Sequence, residues 1–505
     1  MTILDAERPG DTRGFGDRLR DNILLRLVLR WVVLVGMAVF AYWSTLDAIL
    51  VEAKSGTLIT YLPAAVVLTL MACIGIGLRQ GDEFPIYDRQ TDIIVGTVTL
   101  VLSLCIEAML TPRYASTYLS LHIDLLSMWL FLLGGAVMLF GLRPVARYRW
   151  AWFLLLSIFP LPYRILVITF GATRVAASIV MLILAVGAAA VAVGRTRRRG
   201  LAGAALAAVA GIMVLVALKV YAPDAPIYVY QWVPPVACVF VTGVVMYIDQ
   251  RRDWGHLKPL ERPLNPITAP DVLRGTIFTA LVAVLITLIP VPDIRPSAGV
   301  TVPGLNMTPP LSVPSNWRQV SVKPYDVSSL YGPGAAATRQ DLRQAEGDVK
   351  YDKFSRPRKV VVDAITTSRP LTLDVYSTIV DYNLVGDRFS RRVPVPLPHG
   401  MNGVLQTIVD DTNFLTYNRL VWRWNDGGVA QQVSLISVDD HEPDAIFPQP
   451  QLTLWRNVNS LITVLFRGNS VTEDKTPVFK DRDLLVMCAS DLIETQIDKI
   501  GQVSS

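Results

Sequence analysis

Hydrophobic positions along this chain follow two patterns that meet near residue 293. Before it, long apolar runs alternate with short basic loops. After it, about 210 residues alternate apolar and polar positions, with no run long enough to cross a bilayer. The first pattern predicts about nine apolar segments, each of about 20 residues, the length that crosses about 30 Å of hydrocarbon at 1.5 Å per residue. They are Leu27–Leu50, Thr57–Leu78, Asp92–Leu110, Ile123–Leu142, Trp150–Phe170, Val175–Gly194, Leu201–Ala222, Val229–Ile248 and Val272–Val291. Pro160, Pro162 and Arg164 interrupt the fifth, which can break there and continue as an interfacial helix.

Beyond the last segment, Pro290, Pro292, Pro296, Pro303, Pro309, Pro310 and Pro314 favour extended, semi-rigid backbone. Period-two runs follow at Lys359–Ile365, Leu371–Asn383, Gly403–Val409, Leu415–Trp424 and Val429–Val438 and predict strands. Between the last two, Trp424-Asn425-Asp426-Gly427-Gly428 predicts a hairpin turn. Leu452–Phe466 reads as an amphipathic helix, and Asp483–Ile500 as a strand passing into a helix. The expected fold is a membrane all-α region of about nine transmembrane helices, then a soluble α+β domain with an antiparallel sheet. The expected divisions are a cytoplasmic tail (1–25), a transmembrane region (26–292), a Pro-rich stalk and mobile segment (293–358) and an extracytoplasmic domain (359–505).

Charge adds orientation. The 505 residues are 52% hydrophobic and only 18% charged, with net charge +5. Much of the basic charge lies in alternate loops: Arg8 to Arg30, Arg79 and Arg89, Arg143 to Arg149, Arg195 to Arg199, and Arg251 to Arg274. The positive-inside rule then makes the N-terminus cytoplasmic and the region after 293 extracytoplasmic. The basic excess is topological, so no nucleic-acid partner is expected. The polar N-terminus followed by a long apolar run predicts a retained first span rather than a cleaved signal.

Four cysteines, Cys73, Cys105, Cys238 and Cys488, form no CxxC pair. No phosphate-cradling glycine loop, nucleotide fingerprint or zincin motif occurs, so neither cofactor nor metal is expected. Asp439-Asp440-His441-Glu442 has ligand residue types, but consecutive residues do not converge on one ion without a special loop, and a solvated turn is the simpler reading. Trp422, Trp424 and Trp455 could stack on a sugar or form a protein-binding surface, or pack in the core.

The stretch Asp124–Arg164 resembles part of the exosortase/archaeosortase family of membrane transpeptidases. It has a Gly-containing span (Gly134-Gly135), a basic turn (Gly141-Leu142-Arg143-Pro144) and a span ending in Pro160-Leu161-Pro162. The C-terminal region resembles the extracytoplasmic domain associated with exosortases, through Trp422 and Trp424, the Leu452–Phe466 helix and a terminal strand at Asp483–Met487. The resemblance implies thiol acyl transfer at a Cys in an Ala-Cys-Ser-Gly-type motif, with Arg and His in later spans. Here Val236-Ala237-Cys238-Val239-Phe240 lacks the Ser-Gly, and Arg251, Arg252 and His256 fall on the cytoplasmic side. The chain is therefore either a divergent branch or a member that kept the scaffold without the chemistry.

Candidate site residues follow from chain order and depth. Cys238, after Pro234-Pro235, is a nucleophile if the prolines open the helix, or else a small apolar packing residue. Glu107 is an ionisable group within a span, where such groups are costly and mark function by default. Cys105, His122 and Arg164 share the outer end and could supply nucleophile, base and oxyanion cation. Alternatively, Glu107 pairs with Arg164 or Arg113 as structural glue. The expected partners are the lipid bilayer, an envelope protein or polysaccharide substrate, and other envelope assembly proteins. Two functions remain open: an exosortase-like protein of the bacterial cytoplasmic membrane acting in surface protein sorting or exopolysaccharide export, and a non-catalytic scaffold or subunit of an envelope polysaccharide assembly complex.

Overall fold

The computed structural model describes residues 23–503 except 79–88, 115–117, 172, 254–268, 293–298, 376–381, 383–386, 412, 443 and 450–472. The expected helix at Leu452–Phe466, with Trp455, lies outside the described residues, as do His256 and most of the loop before Arg89.

The N-terminal half is helical: α1 (Ile23–Ala41), α2 (Trp43–Lys54), α3 (Leu62–Gly77), α4 (Arg89–Cys105), α5 (Ile123–Phe140), α6 (Arg149–Leu155), α7 (Pro160–Thr169), α8 (Arg174–Val193), α9 (Arg197–Tyr221), α10 (Ile227–Asp253) and α11 (Ala269–Thr287). Among the described residues, six helical stretches are long and apolar enough to cross a membrane unbroken. The other expected segments differ. α1 and α2 meet at 73°, the α6 and α7 stretches meet at 69°, and Leu273–Thr287 is shorter. The second bend has a local cause. Phe159 precedes Pro160, which disfavours helical backbone at the preceding residue, and Phe159 takes φ −71°, ψ 111°.

Small residues let the helices approach. A Cβ on Gly75 would come within 2.3 Å of the Ala192 carbonyl oxygen, and one on Gly134 within 3.0 Å of the Leu100 nitrogen. This close contact is the usual basis of helix association in lipid. Basic groups gather at one end of the bundle. Arg195 donates to the carbonyl of Leu78, Arg89 to Met138 and Arg30 to Leu139. The opposite end carries the C-terminal domain.

Among the described residues, that domain is built on a nine-stranded sheet: β1 (Val300–Thr301), β2 (Trp317–Asp326), β3 (Ala336–Gln344), β4 (Lys359–Thr367), β5 (Arg388–Phe389), β6 (Val393–Pro396), β7 (Asn402–Asp410), β8 (Leu415–Asn425) and β9 (Ala430–Val438). The order is β2-β3-β4-β9-β8-β7-β5, with β6 on β7 and β1 on β8; all pairs are antiparallel except β1–β8. The predicted hairpin closes with the Asp426 amide donating to the Val429 carbonyl, and Gly427 takes φ 102°. A terminal helix, α12 (Arg482–Val503), covers one face. Leu484, Leu485, Cys488, Leu492 and Ile493 share a core with Trp422, Trp424, Val433 and Leu435. The two tryptophans pack edge to face at 5.9 Å and are buried, so core packing is their role rather than a stacking surface.

Three expectations change here. The segment 293–358 is no plain stalk, because it supplies β1, β2 and β3, and Leu305, Met307 and Leu311 enter the core. Asp483–Met487 is the first part of α12, not a strand. Within Leu371–Asn383, Thr372–Val375 is a helical turn.

Candidate functional site

Where α2 bends away from α1, it carries Glu52 beneath the C-terminal domain, completely buried. Both carboxylate oxygens are engaged. Oε1 accepts from Arg164 Nη2 at 2.6 Å and from Thr57 Oγ1 at 2.9 Å, while Oε2 lies 2.7 Å from His122 Nε2. Each partner is positioned by an irregularity. Arg164 follows the proline bend that opens α7 and also donates to the Leu119 carbonyl. His122 sits before α5 at φ 44°, a left-handed conformation uncommon outside glycine. Thr57 caps the 3-10 turn Leu58–Tyr61.

A second carboxylate stands on the other side of the imidazole. Asp124 Oδ1 is 3.6 Å from His122 Nδ1. Asp124 also accepts from Tyr118 at 2.5 Å and from the Leu125 amide at 3.0 Å. Deeper still, Tyr42 lies 2.6 Å from Ser127 and 3.0 Å from Ser103. Glu107 is buried in a π-helical turn, Ile106–Leu110, and its Oε2 has no hydrogen-bond partner among the described residues. Asp124, Ser127 and Thr111 are its polar neighbours. Single π turns inside α-helices recur at functional sites.

The sequence-predicted residues therefore divide. His122 and Arg164 do meet, but through Glu52 rather than through a thiol. Glu107 is bonded to neither Arg164 nor Arg113. Arg113 instead lies 6.0 Å from the Tyr114 ring. Cys105 is exposed on the face of α4 turned away from the buried cluster. Cys238 is buried among apolar side chains, its Sγ 3.1 Å from the Pro235 carbonyl. A thiolate needs an adjacent base or cation. His122 Nε2 is taken by Glu52, Nδ1 lies 3.6 Å from Asp124 Oδ1, and among the described residues no hydrogen bond joins His122 to a cysteine. Glu52 itself escaped sequence reasoning because it follows the apolar run that ends at Leu50. The usable signal was an ionisable residue one turn from a span end, the same signal that singled out Glu107.

The C-terminal domain rests on this cluster. Arg369 Nη1 donates to the Gly56 carbonyl at 3.1 Å. Tyr331, Leu371, Leu373, Val375 and Ala430 pack with Ala48, Tyr118 and Leu119 of the helical half.

No family model, curated protein or solved structure matches the chain.

Several charged residues of the domain are paired within it. His441 pairs with Asp352 at 2.7 Å and bonds Arg358, and Glu442 pairs with Arg356 at 2.9 Å. Among the described residues, no group of three or more His, Cys, Asp or Glu side chains could hold a metal ion. Arg339 and Asp363 form a bidentate pair at 2.6 and 2.8 Å, with Tyr382 donating to the same carboxylate.

Proposed function

We propose that this chain is a multi-pass protein of the bacterial cytoplasmic membrane, related to the exosortases in scaffold but working without their thiol chemistry. In this reading it is a non-catalytic subunit that holds its C-terminal domain at the outer face for an envelope polysaccharide assembly complex. The observation that carries the reading is the closed Glu52–His122–Arg164 cluster. Glu52 engages Nε2 of the imidazole and the Arg164 guanidinium, and neither candidate thiol is bonded to His122. The gathering of Arg30, Arg89 and Arg195 at the end away from the domain supports a cytoplasmic N-terminus under the positive-inside rule.

The test is complementation by a cysteine-free chain, all four replaced by Ser or Ala, in cells lacking this protein. Full rescue of surface glycans and surface proteins at normal expression is expected. Failure despite normal insertion, reversed by restoring Cys105 or Cys238 alone, would identify a nucleophile and overturn the scaffold reading.

A further inference from the structure

The domain does not close flat on the helical half. A cavity of about 170 Å³ remains between them, lined by Gly56, Thr57, Arg174, Asp224, Ser328 and Arg369 among others. We propose that this cavity binds a phosphate ester of a polyol, the chemistry shared by an anionic glycerophospholipid headgroup and a free glycerol or sugar phosphate.

Two guanidinium groups reach the cavity from opposite halves of the protein. Arg369 comes from the domain and is fixed by the Gly56 carbonyl. Arg174 opens α8, and its Nη1 donates to the carbonyls of Pro223 at 3.2 Å and Ala225 at 3.1 Å. Neither is paired with a carboxylate among the described residues. Such cations have five donors in a planar fork, and anchored on backbone carbonyls they are preorganised for a phosphate. Asp224, from the helical half, and Ser328, from the domain, add polar groups to the lining that can meet hydroxyls. They would favour an ester bearing free hydroxyls over phosphate alone.

Depth favours a lipid route into the site. The loop 222–226 that lines the cavity is flanked by Tyr221, Tyr228 and Trp232, which are 87%, 50% and 40% exposed. Exposed Tyr and Trp at span ends mark the headgroup level. The cavity also touches the buried cluster through Thr57, which donates to Glu52. An occupant would therefore brace both halves at their joint. The lipid route rests on reading the helices as membrane-spanning; the binding itself does not depend on any envelope phenotype.

The experiment uses detergent-purified full chain. Calorimetric titration with glycerol 1-phosphate is compared with glycerol, and native mass spectrometry reads phosphatidylglycerol against phosphatidylcholine retained from mixed vesicles. Selective binding of either phosphate ester is expected, weakened about 10- to 100-fold by Arg174→Gln, the loss of one or two charge-assisted hydrogen bonds. Retention of phosphatidylglycerol without glycerol 1-phosphate binding would name the lipid as the source, and binding of both would admit free esters. Arg369→Gln also removes the domain contact, so Arg174→Gln is the deciding variant. Equal binding of esters and controls, or an unchanged affinity in Arg174→Gln, would overturn the assignment.

Discussion

Replacing Glu52 by Gln keeps the size of the side chain and removes its charge. Arg164 would keep its burial, with 6% of its surface exposed, and lose its carboxylate. Breaking a buried ion pair from one side costs about 3–5 kcal/mol, because the remaining charge stays desolvated and unpaired. Thr57 and His122 can still bond a neutral amide, so little is added for them. Set against a typical total of about 5–15 kcal/mol, the loss is large, and a clear drop in Tm is expected for detergent-purified protein. Removing both charges together (Glu52→Gln with Arg164→Met) should cost much less than the sum of the single changes, since no orphan charge remains. A double-mutant cycle on thermal unfolding reads the coupling directly. Limited proteolysis adds a second readout, because Gly56 follows closely on Glu52 and holds Arg369. A cost below about 1 kcal/mol for Glu52→Gln, the value of an exposed pair, or simple additivity in the cycle would refute the reasoning.

Two further outcomes are expected. Gly56→Ala places a Cβ 2.8 Å from Arg369 Nη1 at a backbone φ of 69°. The strain should cost about 1–3 kcal/mol and loosen the domain contact, seen as faster hydrogen exchange at Gly332 and Arg369 with the sheet core unchanged. In the C-terminal domain, burial and the neighbouring Asp410 and Asp411 raise the Asp387 carboxyl from 3.8 to about 7. A carboxyl raised on folding contributes stability below pH 4 that is lost as pH rises toward 7. Asp387→Asn should therefore flatten the fall in Tm between pH 4 and 7, and an unchanged profile would remove Asp387 from the account.

Much of the architecture is legible in the sequence where burial is apolar. β4, β7, β8, β9 and their hairpin follow from alternation, and six helical stretches from apolar runs of sufficient length. The hidden parts are those stabilised by polar pairing. β3 reads as a mobile charged stretch, yet Arg339 and Gln340 are buried because Asp363 and Gln319 receive them. The start of α12 has enough apolar residues to pass for a strand, and only packing on the sheet decides for a helix. The central cluster was half visible. His122 and Arg164 carry their own signal, but Glu52 is 70 and 112 residues away from them along the chain. Nothing local says that a carboxylate just past an apolar run will be folded back by a 73° bend.

The way the chain leaves the bundle has a mechanical consequence. Beyond α11 the chain joins the sheet at Val300, which pairs with Trp424, and Leu305, Met307 and Leu311 enter the core. Arg369 grips the Gly56 carbonyl as a second attachment. A domain held at one point swings, whereas a domain held at two transmits load. Tension applied to the sheet by anything it grasps would therefore divide between the last helix and the bent α2, and so reach the Glu52–Arg164 pair without any ligand entering the bundle.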